Sequence, residues 1–155
     1  MNVELEGRQV LVAAMLMVAT GLLQTAGMVF LTEVSARVKG WVDTRATLTR
    51  VYALMTALMI FLFVLHMTEI AGWAVVLRYV AGYPTFWLAV YNSSLAFTTL
   101  DTATLPPAWI YMSAAESITG LVMFAWSTSA MFNVVSWVTS ARQRYVEQRS
   151  RSRSA

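Results

Sequence analysis

Residues 9 to 32 run for 24 positions without a single Asp, Glu, Lys or Arg. Coiled as an α-helix at 1.5 Å per residue, such a run measures roughly 36 Å, more than the roughly 30 Å of a bilayer's hydrocarbon core. It is read as a membrane span. The composition agrees, because 58% of the 155 residues are hydrophobic and 12% are charged, whereas soluble domains carry about 25% charged residues. The 12% of aromatic residues also excludes a disordered chain. A cleaved signal peptide is the competing reading, with Val34-Ser35-Ala36 resembling a cleavage site. Against it, Glu4 and Glu6 stand where a basic region is required, and the run is too long for a signal core.

The remaining chain divides by the same arithmetic. Residues 1 to 49 form the first span and a polar connector carrying Arg37, Lys39, Asp43 and Arg45. A second span occupies 50 to 80, with His66 and Glu69 in its far half, about 24 and 28 Å along the helix from Arg50. Gly82-Tyr83-Pro84 is a turn whose proline suits a helix start. The helix expected over 84 to 98 has an apolar length of only roughly 21 Å, too short to span, and is read as re-entrant. Residues 99 to 104 form a loop, and Pro106-Pro107 stops the helix from running straight on. Non-helical backbone at membrane depth is tolerated only inside protein or beside a water-filled cavity. A last span covers 108 to 141 with Glu116 as its one charge, and 142 to 155 form a basic tail expected to be disordered at its end. The fold class is an all-α membrane protein with three transmembrane helices and one short re-entrant helix.

Three spans put the two termini on opposite sides. Arg37, Lys39, Arg45 and Arg50 in the connector and Arg142, Arg144, Arg149, Arg151 and Arg153 in the tail are nine of the eleven basic residues. The excess of Lys and Arg places both segments in the cytoplasm and the N-terminus outside. Glu4, Glu6, Glu69, Asp101 and Glu116 then lie outside against Arg8 and Arg78, leaving an acidic outer mouth that favours cations.

The order of span, short helix ending in Thr98-Thr99-Leu100, loop and long helix is the order of a pore module. It is carried by His66-Met67-Thr68-Glu69-Ile70, Tyr91-Asn92-Ser93-Ser94-Leu95-Ala96-Phe97-Thr98-Thr99-Leu100, Leu105-Pro106-Pro107-Ala108-Trp109 and Glu116-Ser117-Ile118-Thr119-Gly120-Leu121, up to Phe124-Ala125-Trp126-Ser127-Thr128-Ser129. Across roughly residues 50 to 135 the chain resembles the small bacterial members of the two-transmembrane-pore, potassium-channel-like family. The resemblance implies a homotetramer in the bacterial inner (plasma) membrane, with 50–80 as outer helix, 84–98 as pore helix, 99–104 as filter and 108–141 as inner helix. The first span is an addition in front.

The filter departs from that family. Potassium-selective members follow Thr-Leu with Gly-Tyr-Gly-Asp, whose carbonyls replace the ion's hydration shell. Here Asp101-Thr102-Ala103 follows Leu100, so potassium selectivity is expected to be absent. Thr99-Leu100-Asp101 resembles instead the acidic filters of bacterial sodium channels and related calcium channels. By that likeness Asp101 forms a cation-binding carboxylate ring for sodium or calcium, with Thr98, Thr99, Leu100 and Thr102 supplying carbonyls and hydroxyls beside it. The structural alternative is that Asp101 caps the following turn.

Other residues carry two readings each. His66 and Glu69, three apart on one helical face, bind a cation or sense pH, or else pin the outer helix to the pore helix. Glu116 adds a second acidic ring in the outer vestibule or stabilises its helix start. Arg78 neutralises Glu69 or Glu116. Ser129, Asn133, Ser136 and Ser140 share one face, lining a wet inner pore or packing helices. Gly120 is a hinge or a close-packing site.

The functional expectation is a cation channel without potassium selectivity, whose partners are further copies of itself, membrane lipid and the permeant ions. No cofactor and no nucleic acid is expected. The alternative is a non-conducting membrane subunit or structural protein with a degenerate pore fold. An enzyme is disfavoured, since there is no cysteine and His66 is the single histidine.

Overall fold

A computed structural model of the chain describes residues 3–44, 47–100 and 109–154. Four helices follow in order: α1 (Val3–Thr44), α2 (Leu48–Tyr79), α3 (Phe86–Phe97) and α4 (Ile110–Ser154). No strand occurs among the described residues. Gly7–Val42, Leu48–Tyr79 and Tyr111–Ser152 are long and apolar enough to cross a membrane, which marks the chain as a membrane protein.

The burial pattern is that of a lipid-facing molecule. Leu22 is 67% and Phe132 70% exposed, while Gln24 and Glu116 are 0% exposed. Large apolar side chains such as these cover much of the outer surface, while Gln24 and Glu116 are turned inward, because a polar group turned to hydrocarbon finds no hydrogen-bonding partner there.

Contacts divide the chain into two units, Met1–Thr25 with Val64–Ala125 and Ala26–Phe63 with Trp126–Ala155. In the first, Ala13 of α1 packs with Trp73, Ala74 and Leu77 of α2, Ala89 of α3, and Trp109 and Met112 at the start of α4. Two polar contacts fix α1 there. The Trp73 Nε1–H donates to the Thr20 hydroxyl at 3.0 Å, and Gln24 Nε2–H donates to the Met123 carbonyl at 3.4 Å. In the second unit, Val42 and Ala141 are buried among Val38, Leu54, Trp137 and Tyr145. Arg50 lies over the Trp41 ring, 4.4 Å from its centre, and donates to the Trp41 carbonyl at 2.5 Å.

Two charged segments are helical, and the second corrects the expectation of a disordered end to the tail. The connector from Glu33 onward is helical as far as Thr44. Val34, Val38 and Val42 recur every fourth residue, and Val38 and Val42 pack against Trp137 and Ala141, so the helix is held by tertiary contact despite its charges. The tail is also helical, to Ser154. Tyr145 anchors its first turn, and further on Ser150 and Ser152 donate to the carbonyls of Glu147 and Arg149 at 2.9 and 3.0 Å.

Candidate functional site

The short helix α3 is the element around which the polar interior of the first unit gathers. Thr85 caps it: its backbone is extended, with φ −137° and ψ 154°, and its hydroxyl accepts from the Leu88 N–H at 3.1 Å. Pro84 precedes the cap rather than opening the helix. The 12 residues of α3 rise about 18 Å, well short of a hydrocarbon core.

Ala89, Ser93, Ala96 and Phe97 form its buried face, the spacing that one side of a helix requires. Ser93 sits at the centre. Its Oγ lies 3.0 Å from the Ile70 carbonyl of α2 and is hydrogen-bonded to the Glu116 carboxyl of α4. A hydroxyl carries one hydrogen, so it donates to one of these two at a time. One turn on, the Ser117 hydroxyl of α4 donates to the Ala96 carbonyl at 2.8 Å. Gly120 permits the closest approach, since a Cβ there would stand 2.0 Å from the Phe97 carbonyl oxygen. Gly120 is therefore a packing glycine.

Below this clasp, Nδ1 of His66 and Oε2 of Glu69 are hydrogen-bonded at 2.9 Å. Both residues are buried. The His66 ring packs 4.7 Å from that of Phe124 and 6.0 Å from that of Phe97, measured between centres, so the pair bears on the end of α3. Glu69 Oε1 and Glu116 Oε2 are buried without a hydrogen-bond partner among the described residues. No group of three His, Cys, Asp or Glu side chains gathers among the described residues, so His66 and Glu69 stand as a pair.

The C-terminus of α3 turns sharply. The Thr99 N–H donates to the Ala96 carbonyl at 3.0 Å and the Leu100 N–H to the Leu95 carbonyl at 2.9 Å. This is a Schellman ending, which needs a left-handed residue just past the cap. Thr99 takes that place with φ 60°, a conformation a β-branched residue rarely adopts. The Thr98 hydroxyl is turned back into the helix, donating to the Ser94 carbonyl at 2.6 Å.

Of the expected filter, Thr98 is half-buried and Thr99 and Leu100 are exposed; Asp101 and Thr102 lie outside the described residues. Glu116, expected in an outer vestibule or stabilising its helix start, is fully buried on Ser93. Arg78, expected to neutralise an acid, lies over the Tyr79 ring at 5.6 Å and makes no ion pair among the described residues. Ser129 and Asn133 are exposed and Ser136 is half-buried, all in the second unit.

Ser93, Thr20 and Gln24 join the buried polar contacts without any motif of their own to mark them. A signal existed, because Gln9, Thr20 and Gln24 interrupt an apolar run at intervals that keep them on one helical face. No protein-family profile matches the chain, and no curated protein or solved structure matches it either.

Proposed function

We propose that the chain is the subunit of a cation channel without potassium selectivity, a homotetramer passing sodium, calcium or both through a ring of Asp101. The observation carrying this reading is the clasped helix α3. A helix too short to span is tied to two spanning helices through Ser93, Ser117 and Gly120, and its C-terminal end leads within four residues of Phe97 to Asp101. Such a helix brings the negative end of its dipole to the loop, where it attracts cations, and a carboxylate ring beyond it strips part of their hydration. His66 and Glu69 serve in this reading as the brace of the outer helix against α3. The charge asymmetry supports an N-terminus outside and a cytoplasmic C-terminus.

One observation favours a second reading, a non-conducting membrane subunit. The Thr98 hydroxyl is engaged within α3, and Thr99 closes a tight turn where a potassium filter would continue as extended backbone. Reconstitution of the full chain into vesicles separates the two. Flux of sodium or calcium above that of protein-free vesicles, with no preference for potassium, supports the channel. Folded oligomers without flux of any cation over a wide panel leave the second reading.

A further inference from the structure

In the second unit, α1 and α4 enclose a groove of 430 Å³ that runs from Met28 to Lys39 on one side and reaches Trp137 on the other. Its chemistry changes along its length. Met28, Leu31 and Ala130 make one end apolar, Thr32, Ser35 and Asn133 bring polar groups to the middle beside Val134, and Lys39 stands at the other end. Met28 and Leu31 belong to the uncharged run that ends at residue 32, so they lie at hydrocarbon depth. Lys39 is seven residues beyond that run, about 10 Å further along the helix, at the level of lipid headgroups. Trp137 beside it is the residue type that settles at this boundary. Lys39 is exposed and has no ion pair among the described residues.

We infer that this groove is a binding site for an anionic phospholipid, with one acyl chain lying on Met28, Leu31 and Ala130 and the phosphate at Lys39. The amphiphilic gradient fits a lipid better than other occupants. A helix from a second copy would press apolar side chains onto Lys39 and bury its charge unpaired. A soluble anion would leave the apolar end of the groove unused. The preference for a net negative headgroup follows from the Lys39 charge, which has no ion pair among the described residues, since a zwitterionic lipid brings its own cation. The site gives α1, which lies outside the proposed pore module, a role that does not depend on whether the protein conducts.

The test is competition between phosphatidylglycerol and phosphatidylcholine of equal chain length for the full chain in detergent, with retained lipid counted by native mass spectrometry. Phosphatidylglycerol is retained preferentially. Lys39→Gln lowers that preference about five-fold, whereas Lys39→Arg keeps it, and Val134→Trp, which fills the groove, loses the bound lipid. In vesicles, phosphatidylglycerol with brominated chains quenches tryptophan fluorescence more than brominated phosphatidylcholine does, and Trp137→Phe removes the difference. Equal retention of the two lipids, or an unchanged preference in the exposed-site variant Lys39→Gln, overturns the site. Unchanged lipid retention in Val134→Trp together with an altered oligomeric state assigns the groove to a second copy and overturns it as well.

Discussion

Ser93 of α3 is hydrogen-bonded to the Glu116 carboxyl of α4 while its Oγ stands 3.0 Å from the Ile70 carbonyl of α2. One hydroxyl thus links three helices inside the first unit. Both Ser93 and Glu116 are 0% exposed, so neither can replace a lost bond with bulk water.

Ser93→Ala therefore leaves the Glu116 carboxyl without the one partner it has among the described residues. An orphaned buried polar group costs about 1 to 3 kcal/mol, and the thermal unfolding midpoint in detergent should fall accordingly. Glu116→Gln should be far milder. Its amide can donate to the Ser93 oxygen while Ser93 donates to Ile70. Equal losses in the two variants would contradict the bonding pattern.

Gly120→Ala should loosen α3 from α4. The added Cβ would meet the Phe97 carbonyl oxygen at 2.0 Å and its carbon at 2.9 Å, and these backbone atoms cannot turn aside as a side chain can. Overpacking of this kind costs about 1 to 3 kcal/mol. Limited proteolysis near residue 100 and thermal unfolding read the effect; a variant as stable and as resistant as the parent would show that no close approach exists.

Thr99→Gly should stabilise the protein by about 0.5 to 1 kcal/mol, because the left-handed conformation at φ 60° costs a non-glycine residue about 1 to 2 kcal/mol, and part of the gain is returned as unfolded-state entropy. Thr99→Val should not stabilise, since it keeps the β-branch. Denaturation of both variants checks the pair; destabilisation by glycine would mean that the Schellman ending is not formed.

The contact between Thr20 and Trp73 predicts a measurable coupling between α1 and α2. With the indole nitrogen 3.0 Å from the hydroxyl oxygen, a double-mutant cycle of Thr20→Val and Trp73→Phe should return about 0.6 kcal/mol, the average for hydrogen bonds between membrane helices, and no more than about 1.7 kcal/mol. Additive effects would separate α1 from that network.

The long elements were legible because uncharged runs of spanning length leave few alternatives. Pro84 and the short apolar stretch after it announced α3, although the cap itself is Thr85. What escaped was tertiary. Residues 33 to 44 look like a connector by charge, yet Val38 and Val42 meet Trp137 and Ala141 and keep α1 helical. Ser93 is one serine among several in α3 until Ile70 and Glu116 are seen beside it. Glu116 reads as a vestibule acid or as a stabiliser of its helix start from its place in the sequence, and that place carries no information about which way a helix is turned. The Gly120 contact depends on where Phe97 ends α3, which spacing along the chain does not encode.

Asp101 bears the functional proposal, and its removal tests that proposal most directly. Full-length protein and Asp101→Asn, reconstituted at equal density, are compared for sodium, calcium and potassium flux. The proposed channel gives sodium or calcium flux in the parent that falls, with loss of selectivity, in the variant. Unchanged flux and selectivity in Asp101→Asn would contradict it.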